Sequence, residues 1–74
     1  MATVEVKSDI TGIVWKILVK EGAEVSEDDV LILLESMKME IPVNAPEDGV
    51  VKEIWAQEGS LVAEGESLVL LQTR

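Results

Sequence analysis

The sequence predicts an all-β fold: a flattened barrel or sandwich of two four-stranded antiparallel sheets carrying an internal pseudo-twofold repeat. Three observations lead there. Shifted by 37 residues, the chain aligns with itself without a gap. Its apolar residues are mostly Val, Ile and Leu, in short segments bounded by Gly, Asp, Ser and Glu clusters. No window carries the i, i+3, i+4, i+7 apolar stripe of an amphipathic helix.

The repeat lays GIVWKILVKEGAEVSEDDVLILLES (12–36) over GVVKEIWAQEGSLVAEGESLVLLQT (49–73). Gly12 falls on Gly49, Val14 on Val51, Ile17 on Ile54, Glu21-Gly22 on Glu58-Gly59 and Val25 on Val62. Leu31, Leu33 and Leu34 fall on Leu68, Leu70 and Leu71, and upstream Val4 and Val6 fall on Ile41 and Val43. The whole chain, 1–74, reads as one domain with halves at about 1–37 and 38–74, since so short a chain holds only one core. Such a domain buries roughly 60% of its unfolded surface. Neither half buries an apolar face alone, so the two must pack on each other.

Strands are expected near 3–7, 12–19, 24–26, 30–35, 39–44, 49–56, 61–63 and 67–72. EGAEV and EGSLV are turns with glycine at positive φ. The strict two-residue alternation breaks between Val14 and Ile17 and again between Val51 and Ile54, which predicts a bulge at the same place in each half. Asp28 stands where the second half has Gly65, so positive φ is expected there too. With Asp29 it reads as turn chemistry, because the spacing and glycine of a calcium loop are missing. Trp15 overlies Lys52 and Trp55 overlies Leu18; both read as partial cover for a small barrel rather than partner contacts.

Composition restricts the function. The chain has no Cys, His or Tyr, which removes disulfides, thiolate metal sites and the commonest general base. No pair of carboxylates can be placed about a cleft for acid–base work, so catalysis by this chain alone is not expected. Fifteen acidic against six basic residues, a net charge of −9, argue against nucleic acid and anionic membrane as partners and favour a monomer. No apolar run reaches membrane length and the start lacks a signal-peptide pattern, so a cytoplasmic location is expected.

One stretch resists a purely structural account. In ESMKMEI (35–41) a lysine stands between two methionines where strand is otherwise expected. Shifted by 37, Lys38 lands just past residue 74, so its pseudo-equivalent is the pair of chain ends. The twofold therefore puts Lys38 at a hairpin tip, at the end of the domain away from both termini. A tight hairpin favours Asn-Gly or Asp-Gly, and Met37-Lys38 is poor turn chemistry; local rules are broken most often at functional positions. Exposed methionines offer adaptable apolar surface to a partner. A protruding amine is suited to acylation by a preactivated carboxylic acid, which needs no base on this chain.

ESMKM, set midway between two G-x-V-x-x-I-x-V/A blocks and followed by VNAPEDGVV, resembles the biotinyl/lipoyl attachment domain family, in particular its short free-standing members and the carboxyl carrier domains of biotin-dependent carboxylases. The resemblance covers essentially the whole chain. It implies a barrel-sandwich hybrid with the modified lysine in an exposed turn. It also implies that biotin protein ligase attaches biotin covalently to Lys38, with Met37 and Met39 as the flanks that mark the biotin type and enter ligase recognition. Lipoyl domains usually read Asp-Lys-Ala there, so a lipoyl carrier or a dual biotin/lipoyl acceptor, with a lipoate ligase as partner, forms the alternative, and an unmodified interaction module on the same barrel a further one. Biotin carboxylase, using ATP and bicarbonate, and a carboxyltransferase are the implied further partners. Glu35, Ser36 and Glu40 are candidate recognition residues, and Glu35 and Glu40 read equally well as charges that solvate the hairpin and guard an exposed edge. Ser36 departs from the family's usual alanine, Ser8-Asp9 differs from its counterpart Ala45-Pro46, and the thumb insertion of some bacterial carriers is missing.

Overall fold

A computed structural model describes residues 2–73. Eight strands follow in order: β1 (Ala2–Lys7), β2 (Gly12–Ile17), β3 (Glu24–Val25), β4 (Val30–Ser36), β5 (Met39–Asn44), β6 (Gly49–Ile54), β7 (Leu61–Val62) and β8 (Ser67–Thr73). They form two four-stranded sheets, β1-β8-β6-β3 and β5-β4-β2-β7, with every pairing antiparallel. Adding 37 to each residue number carries β1, β2, β3 and β4 onto β5, β6, β7 and β8, and converts the order of one sheet into that of the other. Each sheet thus holds two strands from either half, as the expected two-sheet architecture requires.

The backbone hydrogen bonds repeat with the same offset. Gly22 N–H donates to Val51 O at 2.7 Å and Gly59 N–H to Val14 O at 2.7 Å. Asp28 N–H donates to Ala45 O at 2.8 Å and Gly65 N–H to Ser8 O at 2.7 Å. The shared turn needs a left-handed residue: φ is 72° at Asp28 and 86° at Gly65, as the sequence comparison anticipates. Where the second half has Ala45-Pro46, the first has Ser8-Asp9, and the buried Ser8 hydroxyl donates to Ile10 O at 2.6 Å.

One core lies between the sheets. Its fully buried members include Leu31, Ile32 and Leu34 of β4 and their counterparts Leu68, Val69 and Leu71 of β8. Burying each such side chain contributes about 1.5–3 kcal/mol. Adjacent residues on a regular strand point to opposite faces, so two successive buried positions need a reason. The register of β4 on β5 shifts between Val30 and Ile32, and that of β1 on β8 between Val6 and Lys7, which lets Leu31 and Leu68 turn inward beside their neighbours.

The bulges expected from the sequence are present as well. Register shifts between Val14 and Lys16 and between Val51 and Glu53, leaving Trp15 and Lys52 as the extra, exposed residues. Trp15 and Trp55 are 44% and 45% exposed, so each covers the barrel with about half its surface. The flanking strands stop at Ile17 and Ile54, two residues short of the expected 12–19 and 49–56. The cause is a side chain in the ladder: Ile17 N–H donates to Glu58 Oε2 at 2.9 Å and Ile54 N–H to Glu21 Oε2 at 3.2 Å. Each Glu-Gly turn thereby supplies a carboxylate that closes the end of a strand in the other half.

Gly12 and Gly49 are needed for close approach. A Cβ on Gly49 would stand 2.6 Å from the Gln72 carbonyl oxygen, and one on Gly12 would stand 2.7 Å from that of Glu35. Both obstacles are backbone, so neither yields without shifting a strand. Gly49→Ala is expected to lower stability by about 1–3 kcal/mol, read as a reduced urea midpoint; an unchanged midpoint would show that the strands separate freely.

Candidate functional site

Strands β4 and β5 form a hairpin closed by the Ser36–Met39 pair, with Met37 and Lys38 as its two loop residues. Their φ angles are 52° and 65°. Positive φ at both central residues is the requirement of a type I′ turn, the geometry whose twist matches the flanking strands. Non-glycine residues meet it at a cost of roughly 1–2 kcal/mol each. Backbone of this kind persists only when its surroundings over-determine it. Here β4 supplies that support, because three of its seven residues are fully buried.

The turn projects its side chains. Met37 is 91% exposed, Met39 63%, and Lys38 is exposed. Among the described residues, none hydrogen-bonds or ion-pairs with the Lys38 side chain. Ser36 is half-buried, while Glu35 and Glu40 are exposed and stand directly opposite each other one step below the turn. Two carboxylates in that relation repel, so the pair is not there for stability. All six residues singled out from the sequence lie in this one hairpin end.

The opposite end of the molecule holds the chain ends. Ala2 pairs with Thr73, and Thr73 lines a groove with Glu24, Glu27 and Asp48. Glu27 N–H donates to Asp48 Oδ1 at 2.7 Å and Ala45 N–H to Asp29 O at 2.8 Å, which ties the base of the β4–β5 hairpin to the same region. From that base β4 runs seven residues, roughly 20 Å at about 3.3 Å per residue, to reach the turn. The longest dimension of the fold is 37 Å.

The sequence reading overlooked two neighbours of the turn. Following the register across the sheet, Glu40 lies opposite Glu35, Glu35 opposite Ile13, and Ile13 opposite Leu61. Residues directly opposed across strands share a face, so these four form one row on the outer surface. Ile13 is 45% and Leu61 70% exposed. The available signal was the repeat itself, in which Leu61 overlies the charged Glu24.

An exposed primary amine without a partner, on a fixed turn far from the chain ends, is chemically fitted to form an amide with a carboxylic acid. Among the described residues, no group of three or more His, Cys, Asp or Glu side chains is placed to hold a metal ion. A cleft of about 900 Å³ lies at the chain-end side, and one of about 160 Å³ is lined by Val6, Ile10, Leu34 and Ile41 among others; residues 35–40 line neither. A group joined to Lys38 would therefore be carried outside the barrel.

Comparison with known proteins points to one family. Over 41 residues the chain is 51% identical to a biotinylated protein TB7.3 homolog of Mycobacterium leprae and 49% identical to biotinylated protein TB7.3 of Mycobacterium tuberculosis. Each match spans 55% of this chain and 58% of the relative. Among solved structures, the urea carboxylase of Kluyveromyces lactis superposes with a TM-score of 0.91 at 29% identity, over 97% of this chain and 6% of that one. A single-chain, multi-domain long-chain acyl-CoA carboxylase superposes with a TM-score of 0.89 at 25% identity, over 96% of this chain and 7% of the other. The family model described as "Biotin-requiring enzyme" matches residues 2–71, and the chain belongs to that biotin/lipoyl family.

Proposed function

We propose that this chain is a non-catalytic carrier. Its Lys38 is joined to biotin by biotin protein ligase, and the loaded chain moves a carboxyl group between the sites of a biotin carboxylase and a carboxyltransferase. The observation that carries this reading is the unpartnered Lys38 amine on a two-residue left-handed turn, at the end of the barrel remote from Ala2 and Thr73. Membership of the family and the biotinylated and carboxylase relatives support it. A monomer in the cytoplasm belongs to the same proposal.

Attachment asks little of this chain. The Lys38 ammonium gives up a proton to solvent, and Nζ bonds to the activated carboxyl carbon and sheds a second proton to solvent. The activating group leaves with the electron pair of the broken bond, and an amide remains. No base is required of the carrier, in keeping with the lack of histidine. Met37 and Met39 present mobile, polarizable apolar side chains on either side of the amine, suited to contacts with the ligase. When bound, the cofactor supplies the ring that accepts and releases the carboxyl group. The protein supplies position: a tether turns each encounter with the next site into an intramolecular one at high effective concentration.

The Met flanks favour biotin over lipoate, and intact-protein mass separates the two. Protein made with biotin protein ligase and excess biotin is expected to gain one biotinyl group. Lys38→Arg should abolish that gain while leaving the urea midpoint in place; modification retained in this variant would overturn the site, and a lipoyl mass would overturn the cofactor. The strain of the turn gives a second test. Replacing Met37-Lys38 by Asn-Gly relieves both left-handed residues and is expected to stabilise the fold by about 1–2 kcal/mol while eliminating attachment. A decrease in stability would show that the methionine and lysine are there for packing.

A further inference from the structure

The pseudo-twofold gives this molecule an internal comparison, because the same backbone surface occurs twice. At the chain-end side it is acidic: Glu24, Glu27, Glu47 and Asp48 line one groove. At the lysine side the counterparts of these four are Leu61, Glu64, Ile10 and Thr11. The exposed strand position held by Glu24 on β3 is held by Leu61 on β7, which is 70% exposed. Beside it Ile13 is 45% exposed, against 36% for its counterpart Val50. Since Glu24 occupies the equivalent place in the other sheet, the fold does not demand leucine there. An apolar side chain left in water where the same backbone tolerates a carboxylate points to use by a partner.

Position and charge narrow that partner. Ile13 lies one strand from β4 and Leu61 two, roughly 5 and 10 Å across the sheet from the strand leading into the turn. An enzyme that acts on the amine itself must close on the turn to bonding distance. The shelf lies within reach of such a surface, whereas an enzyme acting at the end of a long attached group need not come so near. The same row ends in Glu35 and Glu40, so the shelf is apolar at one side and acidic at the other, on a chain of net charge −9.

We propose that the Ile13–Leu61 shelf, edged by Glu35 and Glu40, is the docking surface for the enzyme that acylates Lys38, and that this enzyme meets it with an apolar patch flanked by Lys or Arg. The proposal rests on the carrier reading above and adds the surface by which the ligase grips its substrate. Apolar contact in the shelf sets affinity, and the carboxylate rim sets encounter rate and salt dependence.

The test uses Leu61→Glu, which gives both ends of the barrel the same residue and a side chain the fold already accepts at position 24. Biotin incorporation is followed by intact mass, with biotin, ATP and a biotin protein ligase that modifies the unchanged chain, over a range of carrier concentrations. Expected are a KM raised about tenfold or more with kcat retained, and an unaltered urea midpoint. Glu24→Leu at the other end should leave both constants unchanged. For the unchanged chain, KM should rise with salt. A Leu61→Glu variant modified with unchanged KM overturns the shelf while leaving the carrier intact. An unchanged chain that no ligase modifies overturns the carrier reading itself, and the shelf with it.

Discussion

One apolar core shared by both halves is the constraint on which the rest of this molecule depends. β4 fills it from one sheet and β8 from the other, and each needs the opposing sheet to exclude water from Leu31, Ile32 and Leu34 or from Leu68, Val69 and Leu71. The bulges follow from that need, because a regular strand buries alternate residues only. So does the placement of Pro42 on β5. At a sheet edge its missing N–H removes no ladder bond between β5 and β4, and it blunts a strand that would otherwise invite pairing with another chain.

The turn draws its rigidity from the same source. Two adjacent left-handed residues without glycine are unfavourable on their own. They are held because β4, leading into them, is anchored in the core and paired on both sides, by β5 and β2. Stability is thus spent at the hairpin tip and recovered inside the barrel, the usual relation between a strained site and its scaffold. In the proposed function, acylation also removes the one positive charge among 35–40. The net charge then falls from −9 to −10, and the face with Glu35 and Glu40 becomes uniformly acidic. A partner that binds before modification and one that binds after it therefore meet different electrostatic surfaces.

Much of this was legible in the sequence because the repeat reports tertiary structure directly. The offset of 37 located the two-sheet architecture, the left-handed residue at Asp28, the bulges between Val14 and Ile17 and between Val51 and Ile54, and the junction at Met37-Lys38. What escaped depends on contacts between residues far apart. Glu21 and Glu58 looked like turn residues, since the N–H groups they accept from lie 33 and 41 positions away. The shortened ends of β2 and β6 follow from those contacts and were hidden with them. The inward turn of Leu31 and Leu68 was masked because a run of leucines has no visible period. The row Glu40–Glu35–Ile13–Leu61 required three separate strand registers, none of them local.

The interleaving of the halves governs when the amine becomes available during synthesis. Strand β8 is an inner strand of its sheet, between β1 and β6, and it is the last strand to be made. Until 67–73 have emerged from the ribosome, β1 has no neighbour, β6 keeps only the two-residue β3, and the apolar side of β4 lacks Leu68, Val69 and Leu71 of the facing sheet. Nascent chains carrying the lysine therefore lack its rigid mount until the final strand is in place. In the proposed function, the interlocked sheets thus tie presentation of the amine on its fixed turn to completion of the fold.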